Sequence, residues 1–204
     1  MWFFLLTLGC GGDPPVEDAP SIEGSVVTAD ESGLVFGVRA FGAVDGDKGG
    51  FYVTSTADAT CDDVVAYLGV TPVDPAPVHA PGHCNLSLST DLVDGSISFG
   101  ADENFLTGFW SVSCAMGEGE FAWEERDNGY EDFFWSGLSW TGVPTEHETQ
   151  VEPGDSGGWT LTVDMSTWEG DYDQQGGVPA TGEVTGSVLA EPCEGLVGGV
   201  LLPG

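Results

Sequence analysis

The sequence predicts an all-β protein made of many short antiparallel strands and one short helix. Apolar and polar residues alternate with a period of two through most of the chain from residue 22 onward, which is typical of strands that bury one face. The 32 glycines and 12 prolines interrupt the 204 residues too often for long helices. We therefore expect an antiparallel β-sandwich of the jelly-roll or immunoglobulin-like kind, with a β-barrel as the alternative.

The strands can be assigned in chain order from this alternation. Residues 34–41 alternate, a turn of sequence Asp-Gly-Asp-Lys-Gly-Gly follows at 45–50, and the chain returns at 51–55, which predicts a hairpin. In a later strand, Trp159 and Leu161 face one way while Thr160 faces the other. Further strands are predicted at 24–29, 85–89, 95–99, 105–115, 119–125, 132–140, 158–165 and 182–190.

The one predicted helix follows the first hairpin. Either Asp58 or Thr60 can cap its amino terminus, where a side-chain oxygen accepts a hydrogen bond from an unpaired backbone N–H. Asp62 and Asp63 suit the positive end of the helix dipole. Gly69 is expected to end the helix. Its apolar side consists of Val64, Val65 and Leu68.

The charge balance excludes several function classes. Only 3 basic residues stand against 34 acidic ones, which gives a formal charge of −31. Nucleic-acid binding gains affinity when Lys and Arg replace counterions, so we exclude it. An anionic membrane surface would repel the domain for the same reason. With 41% hydrophobic residues the chain still buries a core, and we expect residues 22–204 to form a single domain.

The amino terminus indicates an exported protein. Residues 1–9 are apolar, uncharged and too short to span a bilayer as a helix, and they end in Gly9 before Cys10. This segment resembles the lipobox of bacterial lipoproteins, which implies that residues 1–9 are a signal peptide and that Cys10 is the lipid attachment site. Residues 10–21, rich in Gly, Pro and acid, would be a flexible tether. The alternative is that residues 1–9 form a buried first strand and Cys10 is an ordinary cysteine.

The remaining cysteines are expected to form two disulfides. They are Cys61, Cys84, Cys114 and Cys193. An even number in an exported chain predicts disulfides, but the sequence leaves the three possible pairings open. His79 and His83 lie beside Cys84, which raises the alternative of a metal site. Because no clear fourth ligand accompanies them, we predict no metal and expect a disulfide-tied loop with exposed imidazoles.

Two longer segments carry a resemblance across most of the chain. They are the Gly-Gly strand at 157–163 and the closing strand at 184–193, which ends in a cysteine. Together with the leader and the short helix, they make the chain look like uncharacterised lipoproteins of myxobacteria and related bacteria. The resemblance implies an exported β-domain, and it implies no activity.

One motif suggests a hydrolase. Residues 154–158, Gly-Asp-Ser-Gly-Gly, are similar to the nucleophile loop of chymotrypsin-like serine proteases. The cysteine that precedes this loop in that family is absent, because residues 151–153 are Val-Glu-Pro. The segment between His83 and Ser156 is also too short for that two-barrel fold. We therefore interpret the motif as a chance match, a turn that opens the strand at Trp159.

Two weaker patterns suggest ligands. The acidic turns at Asp45–Asp47 and Asp171–Asp173 offer the oxygen ligands that calcium prefers, but neither completes an EF-hand loop and such turns usually close hairpins. Aromatic side chains could form a platform for sugars. The candidates are Trp110, Trp123, Trp135, Trp140, Trp159 and Trp168. Core packing is expected for most of them, and Trp123 and Trp135 are the two expected to be partly exposed.

Two further expectations concern the basic residues and the carboxyl terminus. Arg39 and Arg126 should pair with nearby carboxylates, because few cations compete for so many anions. The apolar segment 195–204 is too short to span a membrane. We expect it to add an edge strand or to cover an open end of the fold.

The functional hypothesis is a lipid-anchored, non-catalytic surface or interaction protein of the bacterial outer membrane, on its periplasmic or outer face. Its membrane contact would be made through the lipid at Cys10 alone, and its partner would be a polysaccharide or a protein. The alternative is a carbohydrate-binding or calcium-dependent binding module, and a hydrolase is the third hypothesis. We predict no cofactor, with calcium as the possible exception.

Overall fold

The computed structural model describes residues 20–68, 79–100, 108–125, 131–155, 157–172 and 177–196. Within these ranges the chain forms strands, one α-helix (α1, Cys61–Leu68) and one 3-10 turn (Glu194–Leu196). The strands are β1 Ile22–Val27, β2 Ser32–Gly37, β3 Arg39–Asp45, β4 Lys48–Thr54, β5 His83–Asp91, β6 Ile97–Gly100, β7 Gly108–Met116, β8 Phe121–Glu125, β9 Glu131–Trp135, β10 Leu138–Pro153, β11 Trp159–Tyr172 and β12 Ala180–Pro192.

The main sheet closes on itself as a seven-stranded barrel. Around the wall, β12 pairs with β11, β11 with β10, β10 with β7 and β7 with β5. Two hairpins close the wall between β5 and β12. In the β1–β2 hairpin, β2 pairs with β5 and β1 pairs with β12. In the β3–β4 hairpin, β4 pairs with β5 and β3 pairs with β12. The all-β class and the short helix are confirmed. Because the backbone ladder runs continuously around the wall, the architecture matches the barrel alternative rather than the sandwich.

The predicted strand at 34–41 is wrong as a single element. It is broken at Val38 into β2 and β3, and the Val38 N–H donates to the Thr54 carbonyl at 3.0 Å. Each part then finds a parallel partner, β2 with β5 and β3 with β12. Gly37, next to the break, leaves room for Val53, because a Cβ at this position would lie 2.4 Å from Val53 Cγ1. Alternation does not reveal such a break, since both parts keep the period of two.

Three indole rings fill the interior of the barrel. Trp110, Trp140 and Trp168 are each at most 2% exposed. Trp110 Nε1 donates to Thr149 Oγ1 at 2.8 Å, and Trp140 Nε1 donates to the Val178 carbonyl at 3.2 Å. Aliphatic side chains from the surrounding strands pack around these rings. Burial of this apolar area is the main stabilising contribution of the barrel.

The long β10–β11 hairpin bends near its middle. Trp140 and Pro144 of β10 are buried, but farther along the strand the buried positions are Thr149 and Val151, so the inward-facing parity changes between 144 and 149. On β11 the register with β12 shifts between Ser166 and Trp168, and Thr167 has a positive φ of 49°. A β-bulge of this kind bends a strand and re-aims its side chains.

A second, smaller apolar layer lies on the outer face of the β3–β4 hairpin. Phe41 and Tyr52 point away from the interior and are covered by Val64 of α1 and by Leu196. Leu196 therefore shows that the start of the carboxyl-terminal segment packs against this layer, while residues 197–204 lie outside the described residues. We call this set the outer layer. Its members are Phe41, Ala43, Tyr52, Ala59, Val64, Cys193 and Leu196, with the side chains of α1 around them.

Helix α1 begins where the sequence predicts. Of the two candidate caps, Thr60 is the one used: its Oγ1 accepts from the Asp63 N–H at 3.2 Å, and Asp63 Oδ2 accepts from the Thr60 N–H at 2.8 Å. This reciprocal pair is a capping box. Asp58 caps nothing in the structure and is exposed. The expected end at Gly69 lies outside the described residues.

The two predicted disulfides are present, and the structure settles their pairing. Cys61 pairs with Cys193, which ties α1 to the end of β12, and Cys84 pairs with Cys114 across β5 and β7. Cys10 lies outside the described residues. Within the described ranges, no helix is both long and apolar enough to cross a membrane.

Candidate functional site

An open groove of about 760 Å³ lies on the outer face of β6, β10 and β11. The bend of the β10–β11 hairpin borders it, because Thr145 and Ser166 sit at the bend and line the groove. Its polar lining includes Ser98, Glu146, His147, Glu148, Gln150 and Asp164. We call this feature the acidic groove.

Strand register places two carboxylates side by side in the acidic groove. Glu148 of β10 lies directly opposite Asp164 of β11, and on its other side it lies opposite Gly100 of β6. Directly opposed like charges destabilise a sheet. Two residues before Glu148 on the same strand, Glu146 lies opposite Ser166 and accepts a hydrogen bond from its Oγ at 3.3 Å. The groove is therefore a concentrated negative patch that local pairing does not neutralise.

The basic side chains of the described residues are used elsewhere. Arg39 donates to Glu191 at 2.6 Å and its guanidinium lies 5.3 Å from the centre of the Phe41 ring. Lys48 pairs with Asp91, and this contact raises the pKa of Lys48. The predicted pairing of Arg39 is thus confirmed, while Arg126 lies outside the described residues. Among the described residues no basic side chain pairs with an acidic-groove carboxylate.

His147 forms the inner edge of the acidic groove. Its ring packs edge-on against Phe99, with 5.4 Å between the ring centres, and its Nδ1 lies 3.2 Å from Thr149 Oγ1. The Thr149 hydroxyl accepts from Trp110 and can donate its own proton to Nδ1, which suits a neutral imidazole. Partial burial also lowers the pKa of His147, because it disfavours the charged form. His147 therefore adds no positive charge to the groove at neutral pH.

Gly154 and Gly158, the first and last residues of the Gly-Asp-Ser-Gly-Gly motif, lie between β10 and β11. Gly154 N–H donates to the Gly158 carbonyl at 2.7 Å, and Gly157 has a φ of 87°, which is strained for other residues. Strand β11 opens at Trp159 directly after Gly158, as the sequence predicted. Ser156 lies outside the described residues.

The expectation of exposed imidazoles next to Cys84 is wrong for His79. This ring is 4% exposed, packs against Tyr67 with 5.6 Å between ring centres, and has its Nδ1 3.3 Å from the Asn85 amide nitrogen. Burial, and to a lesser degree His83, lowers the pKa of His79 to about 4. The α1 segment covers this position, which the sequence around His79 does not indicate.

The metal alternatives gain no geometric support. Cys84 is engaged in a disulfide and so offers no thiolate. Asp45 and Asp47 lie in the β3–β4 turn, where Lys48 is the residue paired with Asp45 across the hairpin. The side chains at Asp171–Asp173 lie outside the described part of the chain. In the part that is described, no three His, Cys, Asp or Glu side chains are grouped so as to hold a metal ion.

Four of the six candidate tryptophans have described side chains, and all four belong to the core. Trp110, Trp140 and Trp168 are buried, and Trp159 packs against the same core with its ring 5.6 Å from Phe51. These four are therefore core residues, as expected for most of the set. Trp123 and Trp135 belong to the β8–β9 hairpin, whose side chains lie outside the described part.

Sequence reasoning missed the acidic groove. It depends on a register that brings three segments together, and in a chain with 34 carboxylates the alternation of Glu146 and Glu148 along β10 gives no distinctive signal. No family model, curated protein or solved structure matches the chain.

Proposed function

We propose that this chain is a lipid-anchored protein of the bacterial outer membrane, held outside the cytoplasm through Cys10, and that it is a non-catalytic binding protein. The observation that carries the binding role is the acidic groove. Glu148 and Asp164 are brought together there on an accessible face without a basic partner in the described residues. A cationic partner would relieve this like-charge contact, so the groove favours binding a positively charged group.

The two disulfides support a location outside the cytoplasm. Both are formed by cysteines far apart in the chain, with separations of 132 and 30 residues. Disulfides form and persist in oxidising compartments and are rare where thiols are kept reduced. Together with the apolar leader that ends at Cys10, they favour an exported, anchored domain.

The openness of the groove supports a binding role over catalysis. Glu148, Gln150 and Asp164 are exposed, and water is not excluded from carboxylates on an open strand face. Acid–base chemistry generally relies on sites that shift pKa values by burial and exclude water. Among the possible partners a protein that carries Lys or Arg is favoured over a neutral polysaccharide, because the groove brings Glu148 and Asp164 together.

The anchor is tested by Cys10→Ser. We expect the variant to lose incorporation of labelled fatty acid and to move from the membrane fraction to the soluble fraction, because the acyl chains supply the membrane affinity. The matched control is Asp58→Asn, a change at an exposed position of the domain that should keep both the label and the membrane fraction. Equal labelling and equal membrane retention of Cys10→Ser and the parent protein would contradict the anchor.

A further inference from the structure

Strand β6 forms an edge of the main sheet. One of its sides pairs with β10, from Glu148 opposite Gly100 to Val151 opposite Ile97. Its other side has no partner strand among the described residues. An unpaired strand edge presents a row of backbone N–H and C=O groups, which is a template for the addition of another strand.

From this edge we infer a partner class for the acidic groove, an inference that rests on the proposed binding function. An extended, cationic segment of a protein adds to β6 as a further strand. Its backbone pairs with residues 97–100, and its Lys or Arg side chains at alternate positions lie across β6 toward Glu148 and Asp164.

The outer face of β6 leaves a path for such side chains. The β6 residues opposite Glu148 and Gln150 are Gly100 and Ser98, so a glycine and a small polar residue separate the open edge from the carboxylates. Neighbouring strands lie about 4.8 Å apart, which places an added strand about 10 Å from β10. Extended Lys and Arg side chains, together with the Glu side chain that points outward from β10, can bridge this distance.

Charge decides which extended segment fits. A second copy of this chain would bring another formal charge of −31 to a face that is already negative, so self-association through β6 is disfavoured. A cationic strand satisfies both requirements, because it pairs the open backbone edge and neutralises Glu148, which relieves the like-charge contact of Glu148 with Asp164 on β11. Alternate side chains of a strand point to the same face, so Lys or Arg at every second position meets the groove.

The experiment uses the full-length protein in neutral detergent and a fluorescent octapeptide, Thr-Lys-Val-Lys-Thr-Lys-Val-Lys, as the probe. Anisotropy measures binding at 150 mM salt, and hydrogen exchange measures the protection of amides 97–100. A twin peptide with every backbone nitrogen methylated keeps the charge and loses the donors. We expect the parent peptide to bind at least tenfold more tightly than the twin and to slow exchange in β6.

A charge-matched pair of variants separates the groove from general attraction to a very acidic protein. Glu148→Gln with Asp164→Asn should weaken peptide binding at least tenfold. Asp58→Asn with Glu118→Gln removes the same charge outside the groove and should change binding less than twofold. Equal weakening in both variants or equal binding of the methylated twin would overturn the inference. So would a dimer in sedimentation without peptide, if hydrogen exchange also showed that dimerisation protects amides 97–100.

The peptide-binding experiment tests the partner class separately from the lipid anchor. A failure of Cys10→Ser to release the protein would remove the anchor but leave peptide binding at β6 intact. Loss of the β6 result with normal lipidation would remove the partner class and leave the proposed location standing.

Discussion

The barrel interior and the outer layer are stabilised in different ways. The interior is closed by strand ladders on every side, and two of its three buried indoles have hydrogen-bond partners; Trp168 Nε1 has none among the described residues. The outer layer lies on one hairpin and is covered by the two-turn helix α1 and the turn at 194–196. A short helix is marginal by itself, so its packing and cross-links decide whether it stays in place.

The outer layer also differs from the barrel interior in its buried polar groups. The outer layer contains the Tyr52 hydroxyl, which is buried and has no hydrogen-bond partner in the described part of the chain, and burial raises its pKa well above the usual value. His79 is also buried, and its ring packs against Tyr67 of α1. Such groups cost free energy when they are removed from water. The outer layer therefore depends on the Cys61–Cys193 bond and on neutral side chains more than the interior does.

The largest expected effect comes from removal of that bond. Cys61→Ala with Cys193→Ala should lower the free energy of unfolding by about 5 kcal/mol, because the bond closes a loop of 132 residues and so restricts the unfolded chain. We also expect α1 to open before the barrel unfolds. Urea unfolding gives the total loss, and native-state hydrogen exchange shows where opening occurs.

The matched control is Cys84→Ala with Cys114→Ala. This bond closes a loop of 30 residues, which corresponds to about 4 kcal/mol in the same chain-entropy treatment. Because both cysteines lie within the barrel wall, its loss should weaken the amides of all barrel strands together. If removal of Cys61–Cys193 instead lowered protection equally in α1 and in β11, the outer layer would not be a separate unit.

The sequence predicted the local elements of both regions better than their assembly. The strand that opens at Trp159 follows from local chemistry and is confirmed. Local chemistry also predicted the start of the helix, but it left Asp58 and Thr60 open as caps, and the structure uses Thr60. The division of 34–41 at Val38 does not follow, because it is caused by parallel partners distant in sequence. The pairing of four cysteines is settled by the same long-range contacts, which no spacing rule provides.

The candidate site was less predictable for a related reason. The acidic groove requires Gly100, Glu148 and Asp164 to lie in one row, and a shift of one residue in any strand would move a side chain to the other face. The burial of His79 likewise depends on a contact with another element, because Tyr67 of α1 packs against its ring. The composition predicted an acidic surface, but the register of β6, β10 and β11 determines which carboxylates lie close together.

An intermediate effect of pH on stability is expected from His79, which packs against Tyr67 of α1. His79 has a pKa of about 4 in the folded protein, against 6.5 for the ordinary group, so the unfolded chain binds a proton more readily between these values. Stability from this residue is therefore present above pH 6.5 and is lost as the pH falls toward 4. The full loss corresponds to about 3 kcal/mol. Urea unfolding at several pH values measures the slope.

Protonation of the many carboxylates also changes stability over this range, so a variant must isolate the histidine. His79→Phe keeps a buried ring and removes the proton, and we expect it to lose much of the decline between pH 6.5 and 4. His147→Phe is the comparison at the edge of the barrel. His147 is less buried and its pKa is lowered less markedly, so its effect should be smaller. Identical slopes for the parent and His79→Phe would contradict the assignment.

The smallest expected effect tests how α1 begins. Thr60→Ala removes the hydroxyl that accepts from the Asp63 N–H, and it should cost about 1 kcal/mol in the free energy of unfolding. Asp58→Ala, at the cap that the sequence offered as the alternative, should change stability by less than about 0.5 kcal/mol because its side chain is exposed. The Thr60 contacts also lower the pKa of Asp63, so the cost of Thr60→Ala should shrink as the pH falls below the ordinary carboxyl value and the capping carboxylate is protonated. Chemical denaturation of the two variants at neutral and acidic pH distinguishes the caps, and a larger loss for Asp58→Ala would show that the helix begins differently.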